Sequence, residues 1–145
     1  MAYGKSNPSY DGFDLVAYYL YYYAMATQYT VCFVTVDSEK IAASIAEGLV
    51  EGRLAACVST VDGVSSTYRW QGKLEKSKES LLIIKTRKTL AEDVEQFVKK
   101  NHPGTTPEVI FLDVAHGGKA YLDWLGANTL FTSNIPQDRL GKSDY

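Results

Sequence analysis

The chain has 145 residues and is 46% hydrophobic, with 15 Lys and Arg set against 17 Asp and Glu for a formal charge of −2. That length suits one domain with a core that needs no disulfide or metal to hold it. The near-balanced charge argues against nucleic acid as a partner, and no run reaches the roughly 18 apolar residues of a membrane span. Two cysteines, Cys32 and Cys57, both in predicted strands, read as free thiols of a reducing, cytoplasmic setting.

Residues 1–28 form an extension unlike the rest. A turn-rich start gives way to an aromatic run from Phe13 to Ala26, in which Phe13, Val16, Leu20 and Tyr23 fall at helical spacing. The spacing fits an amphipathic helix docked on the body, with a flexible segment as the alternative, since tyrosine favours strands over helices. Lys5, the apolar run and Ala24-Met25-Ala26 imitate a secretory signal, but the tyrosines make a poor signal core. Met25 would serve equally as the start of an ordinary chain, so a native extension and upstream residues both fit.

From Tyr29 to Val36 alternation predicts a strand with Val31, Phe33 and Thr35 on one face and Cys32, Val34 and Val36 on the other. Asp37-Ser38 offers an N-cap to a helix carrying Ile41, Ile45 and Leu49, which Gly52 ends as a left-handed stop. Residues 53–86 then read as a long hairpin. Asp62-Gly63 and Gln71-Gly72 compete for its turn; with the turn at Gln71-Gly72, Asp62-Gly63 becomes a bulge. Leu81-Leu82-Ile83-Ile84 lacks alternation, as in a central strand covered on both faces. An arm of about fourteen residues spans roughly 46 Å, against a radius of gyration of about 13 Å for a domain near this size. Such a ribbon overshoots its own core, so its edge must be bent away, covered or paired with another chain, and the last of these predicts a closed homo-oligomer.

Thr89-Leu90-Ala91-Glu92 has the form of a capping box for a helix buried through Leu90, Val94, Phe97 and Val98 and stopped before Pro103. A strand from Val109 to Ala115 follows. Gly117-Gly118 connects it to a helix with Tyr121, Trp124 and Leu125 at i, i+3, i+4, and a polar, turn-rich tail closes the chain. The order β, α, β, β, α, β, α predicts an α+β, ferredoxin-like body over residues 29–130 with a four-stranded antiparallel sheet, an additional C-terminal helix and a tail over 131–145. Its first and third strands are central and its second lies at an edge. Cys32 and Cys57 then stand two strand spacings apart, about 10 Å, beyond the roughly 7 Å reach of a disulfide.

Chemistry is sparse. Two histidines and two cysteines in these contexts name no nucleophile and base, so no enzyme is predicted. Lys85 is the odd member of an apolar strand and is expected to reach a carboxylate, Glu108 first, or to line a cleft between subunits. Tyr68 and Trp70 alternate onto one face near the hairpin tip as interface anchors.

Arg53-Leu54-Ala55-Ala56-Cys57, Tyr68-Arg69-Trp70-Gln71-Gly72-Lys73, Ile84-Lys85-Thr86, His102-Pro103 with Thr106-Pro107-Glu108, and His116-Gly117 with Tyr121-Leu122-Asp123-Trp124-Leu125 closely resemble the CutA family of divalent-ion tolerance proteins, over roughly Tyr29 to Thr129. The resemblance implies a ferredoxin-like homotrimer built through the long hairpins, non-enzymatic, associated with tolerance of copper and other divalent metals, and like the PII signalling proteins in architecture. It also implies a copper site at positions here held by Val34, Asn101 and Glu108. Two of those three cannot ligate a soft metal. Cys32 on the same strand face and the adjacent His102 are the replacements, so Glu108, His102 and Cys32 form the candidate metal set. His116 matches a family histidine, whose simpler task is to tie down the following turn. Lys85, Glu108, His102, Tyr68 and Trp70 are the candidate lining of an inter-subunit ligand cleft for a divalent metal, Cu(II) first, or a small molecule. The alternative is an assembly module that presents the N-terminal segment to a protein partner.

Overall fold

The computed structural model describes residues 12–131, so the turn-rich start and the polar tail lie outside the described residues. The elements are α1 (Gly12–Ala26), β1 (Tyr29–Val36), α2 (Glu39–Glu51), β2 (Cys57–Trp70), β3 (Lys73–Arg87), a 3-10 turn (Lys88–Leu90), α3 (Ala91–Asn101), β4 (Val109–Asp113) and α4 (Lys119–Ala127). All strand pairs are antiparallel, in the order β2-β3-β1-β4. This is the ferredoxin-like α+β plan, with β1 and β3 central and β2 at an edge.

Alternation decides which face of the sheet is dry. Cys32, Val34, Val36, Leu82 and Ile84 are fully buried on one face, under α2 and α3, which contribute Ala42, Ile45, Leu49, Val94 and Val98. Val31, Phe33, Leu81, Ile83, Ile110 and Leu112 project from the other face. Phe33 stands opposite both Ile83 and Ile110 across the ladder, while Ile110 and Leu112 remain 49% and 47% exposed. α4 packs on the Tyr29 end of this face, and Ile110 and Leu112 are left open beside it. Cys32 lies on the dry face opposite Ile84, and Cys57 on the open one opposite Lys85. Both are free thiols, with β3 between them.

The hairpin turns at Gln71-Gly72, whose φ values of 48° and 79° are the left-handed pair that a tight two-residue turn requires. The register shifts between Val61 and Val64, where Gly63 has φ 70° and the Asp62 carboxylate accepts a 2.7 Å bond from Ser80 Oγ. Asp62-Gly63 is thus the bulge. β1 pairs with β3 only as far as Ser80. Beyond the bulge, Val64–Trp70 and Lys73–Glu79 pair only with each other among the described residues. This two-stranded extension runs roughly 23 Å at about 3.3 Å per residue.

Several local expectations are corrected. Gly52 is right-handed, with φ −75°; the left-handed residue is Arg53, φ 57°. Arg53 is held there because its guanidinium donates to Ala127 O at 2.8 Å and its carbonyl accepts from Leu130 N at 3.0 Å. Thr89 does not cap: its hydroxyl donates to Phe131 O at 3.3 Å, and α3 opens from the 3-10 turn with no side-chain cap. β4 ends at Asp113, short of Ala115, and Val114 N already turns to Tyr29 O. On α4 the dry pair is Leu122 and Leu125, packed on Ala26, Tyr29 and Ala56. Tyr121 and Trp124 stack on each other outside, ring centroids 5.5 Å apart. The i, i+3 spacing admits both stripes, and docking chose between them. α1 is helical as predicted, but Val16, Leu20 and Tyr23 are exposed within the subunit. Among its described side chains, Ala26 is packed into the body; that of Phe13 lies outside the described residues.

Asp93, in the first turn of α3, is buried, and its Oδ2 has no hydrogen-bond partner. Burial, with the nearby Glu92 charge second, raises its pKa above the ordinary aspartate value. The folded state therefore holds the proton more tightly than the unfolded chain, and stability is lost as pH rises through the folded pKa. Asp93→Asn is expected to stabilise by about 1 kcal/mol at neutral pH, with the gain vanishing below the ordinary aspartate pKa; urea melts at both pH values measure it.

Candidate functional site

Where the free part of the hairpin passes the 102–108 loop between α3 and β4, the two enclose a cleft of about 590 Å³. Tyr68, Trp70 and Ser66 share one face of β2, and Glu79 joins them from β3. Thr35 at the end of β1, His102 and Glu108 form the opposite wall. A contiguous hollow of about 250 Å³ shares Tyr68, Glu79 and His102 and adds Asp37 and Ser77. Ser77 Oγ donates to Glu79 Oε1 at 3.2 Å and steadies that carboxylate.

His102 is fastened by both ring nitrogens. Gly104 N–H donates to Nδ1 at 2.9 Å, which leaves the proton on Nε2, 2.7 Å from the Thr35 carbonyl. The neutral imidazole thereby pins the loop to β1. A Cβ at Gly104 would stand 3.1 Å from the ring, so a side chain there would need the imidazole to shift by a few tenths of an ångström.

The five residues predicted to line a ligand cleft divide four to one. Tyr68, Trp70, His102 and Glu108 meet here. Lys85 does not: its Nζ donates to Ser59 Oγ at 2.7 Å and Ile83 O at 3.1 Å on the open sheet face. The Lys85–Glu108 ion pair expected from sequence is absent from the subunit, because the Ser59 hydroxyl lies within reach across the same ladder. Of the candidate metal set, Glu108 is exposed at the cleft and His102 is engaged as described. Cys32 is fully buried; burial first, then the charges of Glu108 and Glu95, push its thiol up to about 12. At pH 8 that leaves about one thiol in ten thousand ionised. Iodoacetamide is therefore expected to leave Cys32 unmodified in the folded protein and to label it promptly in urea, as mass spectrometry of its peptide would report.

Val34 belongs to the dry core, and Asn101 Nδ2 donates to Phe97 O at 2.7 Å within its own helix end. His116 stands apart, beside Tyr18, Tyr19 and Tyr23 in a cleft of about 340 Å³. Among the described residues, no three of His, Cys, Asp and Glu are grouped closely enough to hold a metal ion. Glu79 and Asp37 are the acidic residues of the two hollows that sequence reasoning missed. The bulge-shifted register and the end of β1 bring them there, and neither carries a sequence signature.

A ferredoxin-like subunit whose hairpin outgrows its own sheet, with a cleft where that hairpin crosses the α3–β4 loop, defines the class. The family model described as CutA1 divalent ion tolerance protein matches residues 30–128. The chain is 48% identical over 99 residues to the divalent-cation tolerance protein CutA of Thermus thermophilus, covering 68% of this chain and 96% of that one. It is 42% identical to the chloroplastic protein CutA of Arabidopsis thaliana over 68% of this chain, but spans only 54% of that longer protein. The crystal structure of CutA1 from Oryza sativa superposes with a TM-score of 0.71 at 38% identity, over 74% of this chain and 99% of that one. The chain belongs to the CutA1 divalent ion tolerance family.

Proposed function

We propose that this protein acts in divalent-cation tolerance as a non-enzymatic homotrimer, binding its ligand in clefts between subunits. The observation that carries the reading is the unsupported part of the hairpin. Seven residues on each arm, Val64–Trp70 and Lys73–Glu79, have no third strand among the described residues, and a lone two-stranded ribbon is marginal in water. Tyr68, Trp70 and Leu74 along it are 43–68% exposed, and the open apolar sheet face adjoins it. Neighbouring copies would cover both at once. The number three comes from the family resemblance. Sedimentation equilibrium at micromolar concentration is expected to return three subunits; a folded single subunit would end this reading.

Glu108 is the anchor proposed for a divalent metal, with Cu(II) the first candidate. His102 and Cys32 would join it only by giving up a hydrogen bond and a proton, so binding is expected to release protons. Calorimetry with Cu(II) should show saturable heat that weakens in Glu108→Ala; no heat with any divalent ion removes the metal. The two free thiols fit a reducing compartment such as the cytoplasm. The exposure of α1 favours a second reading, a trimer that presents this helix to a protein partner. Deleting residues 1–24 should then leave the trimer intact while abolishing the contact.

A further inference from the structure

We propose that α1 lays its outer side into the interfacial zone of a zwitterionic lipid bilayer, the three helices of the assembled protein acting together. The inference goes beyond the cleft and rests on the trimer reading for the number of helices. α1 is an addition to the body. The family match begins at residue 30, and the Thermus relative, 96% covered by its match, has almost no chain left for such a helix. The buried anchor of α1 is Ala26, and Tyr18, Tyr19 and Tyr23 share a cleft with Ala115 and His116. At about 100° per residue, Leu20 and Tyr21 face away from that contact, with Val16 at the flank. They are 64%, 61% and 56% exposed. Val16 and Leu20 belong to the stripe expected to dock on the body, and they are left undocked.

Chemistry selects the occupant. A tyrosine ring wants apolar cover for its body and an acceptor for its hydroxyl, and the headgroup boundary of a bilayer supplies both. At about 22 Å the helix is too short to cross a hydrocarbon core of about 30 Å, so it lies along the surface. Asp14 is the only charged residue from 12 to 26, and Lys119, close to Tyr18 and Tyr21, is paired with Asp123 at 2.6 Å. Anionic headgroups therefore gain nothing over zwitterionic ones. The outer side of one such helix is a fraction of the roughly 1,000 Å² that a stable contact between proteins needs. A bilayer sets no such minimum for each helix, because the trimer sums its contacts.

Symmetry supplies the flat surface. A closed three-fold assembly carries its three copies of α1 at one level along its axis. α1 leads into β1 at Tyr29, which stands opposite Arg87 at the end of β3 far from the hairpin turn. That level is thus at the base of the hairpins, and three contacts in one plane match a bilayer.

The test uses the full chain and sucrose-loaded phosphatidylcholine vesicles, pelleted with whatever they bind. Saturable co-sedimentation is expected, neither weakened by added salt nor strengthened by phosphatidylglycerol. Leu20→Glu should weaken it at least about tenfold, or about 1.4 kcal/mol. Val50→Glu, on the exposed side of α2, should leave it unchanged. Leu20→Trp should bind at least as well, and its added emission should shift to the blue with vesicles, which places residue 20 in the lipid should the glutamate variant lose its helix. No binding, binding that requires the anionic lipid, or equal binding by Leu20→Glu overturns the proposal. So does a larger assembly in the absence of lipid that reverts to the trimer on deletion of residues 1–24, because a second copy then covers α1. Sedimentation without vesicles separates the two levels. A trimer that ignores vesicles keeps the trimer and discards the bilayer; a folded single subunit discards both.

Discussion

Ile83→Asp is expected to break the assembly into single subunits. Ile83 stands on the open sheet face, opposite Phe33 of β1 and Ser59 of β2, at the centre of the surface proposed to face neighbouring copies. Its sequence neighbours Leu82 and Ile84 point the other way and are fully buried under the helices. The substitution therefore leaves the dry core alone and places an unpaired carboxylate between subunits. Burying such a charge costs several kcal/mol per copy, repeated in every subunit of a closed ring. Sedimentation should show the loss of the trimer, with helical circular dichroism retained. Val50→Asp, on the exposed side of α2 at 40% exposure, is the matched control and should leave the assembly whole. A trimer that survives Ile83→Asp at micromolar concentration would show that this face is not the interface.

Leu49→Ala is expected to cost about 3 kcal/mol, the middle of the range for a buried leucine that leaves a cavity. Leu49 is fully buried on the stripe that α2 turns to the sheet. Its carbonyl accepts from Leu54 N at 2.9 Å and Ala55 N at 3.1 Å, which fixes the chain reversal into β2. The substitution spares that backbone and removes only side-chain packing. For a body near 100 residues, the thermal midpoint should fall by about 12–24 °C. The adjacent Val50→Ala, at an exposed position, should change stability by no more than about 0.5 kcal/mol. Equal effects at the two positions would mean that α2 does not pack on the sheet through this stripe.

How much of the site was legible follows from where its residues come from. Tyr68 and Trp70 were readable because alternation puts them on one face near a turn, and His102 and Glu108 because their motifs resemble a known family. Glu79 and Asp37 were not, since each is one carboxylate among 17 acidic residues until the fold chooses. Lys85 shows the same limit: an isolated lysine in an apolar strand calls for a partner, but only the register shows that within the subunit this is Ser59 and not Glu108.

The sequence by itself determined the element order, the span of β1, the N-cap at Ser38, the turn at Gln71-Gly72 and the bulge at Asp62-Gly63. Each of these depends on side-chain alternation or on backbone angles set within a few residues. The tertiary structure alone decided that Arg53 is the left-handed residue, that Thr89 reaches Phe131, that α4 docks through Leu122 and Leu125, and that Glu79 lines the same hollow as His102. Those outcomes rest on contacts between segments distant along the chain, whose energies are comparable to local preferences and decide between alternatives that local spacing leaves equal.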